Sequence, residues 1–200
     1  MDNFVVGENL ELVTFLRSPK AEFRGIWISG PRSSGRTHLL QAYCRAALQS
    51  GRQGIYLDCA DLAVGASAQI QRAVNLASAS DALVVLDNLG ELQHDPPHEE
   101  ALMLIYQSLY AVAGEMLVCH DQSARGVEFD LPDLNSRMRG FAHFALVPLR
   151  DARGAWDLGV LVFGGRDFHA ESGTHKGRDD GVLFSLLSDD DRRHAPPPSP

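Results

Sequence analysis

The stretch Gly25–Leu40, GIWISGPRSSGRTHLL, restricts the choice of fold more than any other part of the chain. Ile26-Trp27-Ile28 reads as a buried strand. A turn from Gly30 to Gly35 follows, and Arg36-Thr37 open a helix whose apolar face begins with Leu39, Leu40 and Tyr43. The spacing Gly30-x-x-x-x-Gly35-Arg36-Thr37 is that of a phosphate-binding loop, with Arg36 where lysine is usual. Gly30 and Gly35 permit a backbone path that a Cβ would block. Through Pro31, Arg32, Ser33 and Ser34 the loop's N–H groups can converge on phosphate oxygens, helped by the helix N-terminus. Thr37 offers a hydroxyl to Mg²⁺. Arg36 keeps the positive charge in a bulkier, planar form, so its contact with the β- and γ-phosphates need not match that of lysine. The alternative is a Gly/Ser-rich turn that binds nothing; a second motif downstream weighs against it.

That motif is Leu83–Asp87, LVVLD: four apolar residues followed by an acid, some forty to fifty residues after the loop. Asp87 is placed to hold Mg²⁺ through water, near Thr37. The next residue is Asn88, which cannot act as a general base, so hydrolysis of the chain's own nucleotide is expected to be weak. The run Ala82–Leu86 has the continuous apolar character of a strand covered on both faces. Gly54–Leu57, Met116–Cys119 and Phe141–Val147 read as further strands. Helical patterns fall at Asn9–Leu16, from Arg36 to about Ser50-Gly51, and at Ala63–Ala77, Glu99–Ala113 and Leu131–Arg139. Strand and helix alternate from Ile26 to Val147, which predicts an α/β fold: a parallel sheet with helices on both faces.

Two further residues stand at informative places. Ligands bind at the carboxyl ends of parallel strands, so Asp121, just after Met116–Cys119, is a candidate sensor of the γ-phosphate; an ordinary loop Asp is the alternative. Arg137 lies on the late helix LPDLNSRMRGF, where an Arg can reach a neighbouring subunit's site; the alternative is a surface pair with Asp133, four residues earlier. His94 and His98 are spaced i,i+4, but Pro96-Pro97 argue against a regular helix between them and hence against a metal site. Phe4, Trp27, Tyr43 and Phe144 read as core rather than base-stacking residues.

At 44% hydrophobic, 200 residues can bury one core. A net charge of −8 argues against a free-standing nucleic-acid binder. Cys44, Cys59 and Cys119 match no metal spacing and read as reduced core thiols. No apolar run is long enough to span a bilayer, and no signal peptide opens the chain, so a soluble, cytoplasmic protein without a membrane partner is expected. After Pro148 the texture changes: Asp151–Pro200 is rich in Gly, Asp, Arg and His and ends PPPSP. The expected organisation is therefore a nucleotide-binding domain at 1–149 and an aberrant or disordered segment at 150–200. A natural tail and a reading-frame shift near Leu149–Gly154 are the two explanations of that segment.

Several ordered motifs resemble one family. DNFVVGENLELV resembles the segment before the ATPase core of the replication initiator DnaA. GRTHLLQAYC, LDNL and LPDLNSRM are similar to the corresponding segments of the Hda-type regulators, DnaA-related AAA+ proteins whose loop also carries Arg before Ser or Thr. The resemblance covers about Asp2–Leu149. It implies an AAA+ P-loop fold that binds ADP or ATP with Mg²⁺, with Phe4, Val5 and Gly7 at the adenine and Arg137 as an arginine finger acting in trans. It implies regulatory inactivation of ATP-bound DnaA on the sliding clamp, self-association as a homodimer, and contact with DNA only indirectly. The clamp-binding sequence of that family is not visible before Met1, and Asp151–Pro200 does not resemble its helical lid. A DnaA-family adaptor without hydrolysis, or a helicase-loader-type ATPase, is the alternative reading.

Overall fold

In the computed structural model, residues 9–63 and 67–148 are described. Five strands, β1 (Arg24–Ser29), β2 (Gly54–Asp58), β3 (Leu83–Asp87), β4 (Glu115–His120) and β5 (Ala142–Ala145), form one sheet in the order β2-β3-β4-β1-β5. Every neighbouring pair is parallel. All residues of β3 and β4 are buried, which is why their sequences are continuous rather than alternating. Alternate side chains nevertheless go to opposite faces. Trp27, Val84, Leu86, Met116 and Val118 join one core layer, while Ile26, Ile28, Leu83, Val85 and Leu117 join the other.

Helices α1 (Leu10–Arg17) and α2 (Arg36–Gln49) cover the second of these faces, through Leu12, Leu16, Leu39, Leu40 and Tyr43. The first is covered by α3 (Cys59–Ala63), α4 (Ser67–Leu76), α5 (Pro96–Ala111) and α6 (Pro132–Arg139), together with a 3₁₀ turn at Leu89–Leu92. The helix expected at Ala63–Ala77 is α4, Ser67–Leu76, and the short α3 comes before it. The helix expected to begin at Glu99 begins at Pro96. Pro96 and Pro97 occupy the first turn, where the missing N–H groups have no helical acceptor to lose, and Asp95 caps it by accepting from the His98 N–H. Pro in this region therefore starts a helix instead of interrupting one. The last strand is shorter than Phe141–Val147. Cys44, Cys59 and Cys119 are all buried free thiols.

The amino edge of the sheet is tied by a buried carboxylate. Glu115, fully buried at the start of β4, pairs with Arg24 at 2.7 Å and Arg52 at 2.9 Å and accepts from the Tyr43 hydroxyl at 2.9 Å. Arg24 also donates to the carbonyls of Phe15 and Ser18, which fastens the end of α1 to β1. Removing one partner from a buried pair of this kind costs about 3–5 kcal/mol, so the network reads as structural. No helix among the described residues is long and apolar enough to cross a membrane.

Candidate nucleotide site at the carboxyl edge

Parallel register brings the last residues of four strands to one edge: Ser29 beside His120, and Asp58 beside Asp87. The loop between β1 and α2 lies on this edge. Ser33 and Gly35 both take left-handed conformations, with φ of 64° and 88°, and the Ser34 N–H returns to the Pro31 carbonyl at 3.2 Å. An added Cβ at Gly30 would meet the Leu146 carbonyl and the Ser34 hydroxyl at 3.0 Å each, so a side chain fits there only if these neighbours give by a few tenths of an ångström. At Gly35 the space is open and the positive φ sets the requirement. The first helical bond of α2 runs from Leu39 N–H to the Gly35 carbonyl. The N–H groups of Arg36, Thr37 and His38 therefore have no acceptor within the helix. The Ser34 hydroxyl is buried with no hydrogen-bond partner. Free N–H groups, an orphaned buried hydroxyl and a glycine-lined backbone are the donor set that an anion such as a phosphate fits. Thr37 is exposed at the start of α2.

Facing the loop across the sheet edge, Asp87 ends β3 and is 1% exposed. One of its oxygens accepts from the Tyr56 hydroxyl and the other from the Asn88 N–H, each at 2.9 Å. Burial, and then the Asp87 charge, push the Tyr56 phenol up, so it stays a donor. Asn88 sits at φ 53° and donates its side-chain amide to Asp58 at 2.9 Å. Burial pushes the Cys119 thiol up to about 12; Asp87 adds to the rise and the Arg36 charge opposes it. The Arg36 charge also acts on His120.

His120 is 4% exposed and stacks on Trp27, with ring centroids 5.6 Å apart. Its Nδ1 lies 2.8 Å from both the Gln122 N–H and an Asp121 carboxylate oxygen. One nitrogen cannot accept from the first while donating to the second. Burial lowers the His120 pKa, the Asp121 charge opposes this, and the Arg36 charge lowers it further. Burial thus favours the neutral ring; with Nδ1 accepting from Gln122, the proton is on Nε2, which then donates to Gln93 at 3.2 Å. Asp121 is left exposed, one residue beyond the strand.

Arg137 is placed elsewhere. It is exposed on α6, and its guanidinium lies over the Tyr106 ring at 5.6 Å; no ion pair joins it to Asp133. With Tyr106, Phe23, Gly25 and Phe141 it lines a cleft of about 400 Å³. Gly25 is at the start of β1, whereas the phosphate loop leaves its end. Six residues of strand, at about 3.3 Å each, put roughly 16 Å or more between the two. Val5 and Gly7, with Phe4, lie outside the described residues, as does 149–200.

No family model matches the chain. An uncharacterized protein of Haemophilus influenzae is 29% identical over 154 residues, covering 76% of this chain and 64% of that protein. The structure of AMPPCP-bound DnaA from Aquifex aeolicus matches with a TM-score of 0.63 and 23% identity, over 75% of this chain and 50% of that one. The replication initiator DnaA bound to AMPPCP and single-stranded DNA matches with a TM-score of 0.61 and 25% identity, over 72% and 48%. The fold is that of a DnaA-related AAA+ P-loop domain. The chain spans less than two thirds of the curated relative and about half of the DnaA chains.

Within this AAA+ domain the loop residues 30–37 and Asp87 come to one edge, as their spacing predicts, and Arg137 does not join them. Sequence reasoning missed Tyr56 as a member of the same edge, read Asp58 only as the residue that ends its strand, and preferred Asp121 to its neighbour His120. Tyr56 and Asp58 lie on β2, and only the β2–β3 register makes Asp58 a partner of Asn88. His120 was legible in principle, as the residue that closes a fully buried run. The histidines at 94 and 98 bind separate acids, Asp130 and Asp95.

Proposed function

We propose that this chain is a regulatory AAA+ protein of replication initiation, of the Hda type. In this reading it binds ADP or ATP through Gly30–Thr37 and promotes hydrolysis of ATP held by DnaA. The solved DnaA structures it resembles hold the ATP analogue AMPPCP, and the donor set at residues 30–37 suits the same phosphates. Thr37 and Asp87 are the residues that would hold Mg²⁺, which supplies charge neutralisation at the phosphates. Asp121 is kept as a γ-phosphate sensor at the end of β4.

The observation that carries the proposal is the separation of Arg137 from this chain's own loop. An exposed guanidinium at the amino edge of the sheet cannot serve the phosphates at the carboxyl edge of the same domain. It can serve a partner's. Negative charge builds on the phosphoryl oxygens as ATP is hydrolysed, and a guanidinium presented there is worth about 10³ to 10⁵ in rate in GTPases. Asn88 supports the same division of labour. Its amide is committed to Asp58 and it has no basic oxygen for activating water, so hydrolysis in cis is expected to be weak.

The test is single-turnover hydrolysis of ATP-loaded DnaA in the presence of the clamp on DNA. Arg137→Ala should fold and bind nucleotide as before, because an exposed Arg adds little to stability, and should lose the stimulation. Arg137→Lys should also be poor, since an ammonium lacks the planar fork. Full stimulation by Arg137→Ala would remove the finger from this reading.

A further inference from the structure

We infer that Tyr106 is the positioning residue for Arg137: its ring face holds the guanidinium at the mouth of the cleft between α5, α6 and the start of β1. The inference rests on the trans-acting role proposed above and concerns how that Arg is kept ready for use.

A long exposed side chain loses rotamer freedom when it docks, and Arg carries about 2 kcal/mol of it. A finger that is already confined loses less. Tyr106 is suited to confine it. The Tyr106 side chain is 8% exposed and its ring is fixed by three aromatic neighbours. Phe23 meets it edge-on with centroids 5.1 Å apart, Phe141 is near-parallel at 6.2 Å, and Tyr110 stacks at 6.0 Å. The Arg137 guanidinium lies over this fixed ring at 5.6 Å, within the range at which a cation is attracted by a π face. The two residues come from different helices, so the contact also sets α6 against α5.

A second contact fixes the other end of α6. Glu99, 1% exposed at the start of α5, accepts from the N–H groups of Asp130 at 3.0 Å and Leu131 at 2.7 Å, just before α6 begins. The helix that bears Arg137 is thus held at its entrance by Glu99, and its one exposed functional side chain is held by Tyr106. The Arg137 guanidinium lies over the Tyr106 ring, and both residues line the cleft.

The experiment compares Tyr106→Phe, Tyr106→Leu, Arg137→Ala and the Tyr106→Leu/Arg137→Ala double variant in the full chain. The first readout is the Arg137 Nε–Hε resonance by NMR. It should be ring-current shifted in the natural protein and in Tyr106→Phe, and should lose that shift in Tyr106→Leu. The second is single-turnover hydrolysis of ATP on DnaA. Tyr106→Phe should stay within about twofold of the natural rate. Tyr106→Leu should lower the maximal rate roughly two- to fivefold, the size expected of an exposed cation–π contact, without raising the concentration needed for half the effect. In the Arg137→Ala background, Tyr106→Leu should change nothing more.

An unshifted Arg137 resonance in the natural protein, or a Tyr106→Leu loss that adds fully to that of Arg137→Ala, overturns the inference. A shifted resonance with full stimulation by Arg137→Ala would place the fault in the proposed function instead, since the stack would exist without serving hydrolysis. If Tyr106→Leu fails to fold, Tyr106→Met fills similar space without a π face and repeats both readouts.

Discussion

Ser34 and Asn88 carry the residue-scale consequences of the site. The Ser34 hydroxyl is buried without a partner, and a buried unsatisfied polar group costs about 1–3 kcal/mol. Ser34→Ala should therefore leave the free protein as stable as before or slightly more so, while weakening ADP binding up to about tenfold. Urea unfolding and calorimetric titration read the two effects separately; a destabilised variant with unchanged affinity would mean that the hydroxyl has a structural partner. Asn88 donates to Asp58 at 2.9 Å. Asn88→Asp replaces that donor with a second carboxylate, whose folded-state pKa the Asp58 charge must raise. A group with a raised pKa costs nothing below its unfolded value, near 3.9, and destabilises as pH climbs through the folded value. The variant should fold, lose about 1–3 kcal/mol at neutral pH and regain it toward pH 4. Urea midpoints across pH 4–8 check the sign.

At the scale of elements, the link that matters is between α5 and α6. Three N–H groups, from His94, Asp130 and Leu131, converge on the buried Glu99 carboxylate. Bonds to a charged acceptor are worth about 1.5–3 kcal/mol each. Glu99→Gln keeps the shape and turns one acceptor oxygen into a donor that faces a donor. It should cost a few kcal/mol, and the loss should be concentrated at the entrance to α6. Hydrogen exchange gives the measurement: the Asp130 and Leu131 amides should lose protection far more than those of β3 or β4. Equal loss in all of them would mean that Glu99 supports the whole core and not this junction in particular.

For the whole molecule, burial of thiols and phenols sets the alkaline limit, with Tyr56 and Cys59 pushed up as well as the three groups that follow. Tyr43 is pushed up from 10.0 to about 12, by burial first and then by Glu115. Cys44 and Cys119 are pushed up from 9.0 to about 11 and about 12, both chiefly by burial. Each raised pKa favours the protonated form in the fold. The stability is present below the unfolded values and is lost as pH rises through the folded ones. Stability should accordingly hold to about pH 9 and fall steadily between about pH 9 and 12, with the thiols inert to a thiol reagent until the chain opens. Denaturant midpoints across that range, taken with native-state thiol titration, check both. A thiol that reacts in the native protein at pH 8 would contradict the burial.

Local chemistry alone determined the parallel α/β fold, the glycine-bounded turn between β1 and α2, and the thiols' burial. Each follows from a pattern within a short stretch: a glycine spacing, a run of apolar residues, a strand that ends in an acid. Such patterns carry over into the fold because backbone sterics and the hydrophobic effect act where those residues stand. The start of α5 at Pro96 was in principle equally local, since Asp95 and two prolines are a helix-opening signal. What the tertiary structure decided was which distant groups meet. Asp58 with Asn88, Glu115 with Arg24 and Arg52, Glu99 with the approach to α6, and Tyr106 with Arg137 are all pairings set by strand register or helix packing. Their residues are separated by many positions along the chain, and nothing in either partner's neighbourhood names the other. The placement of Arg137 at the edge opposite the phosphate loop belongs to the same class, because only the direction of β1 through the sheet sets those two ends apart.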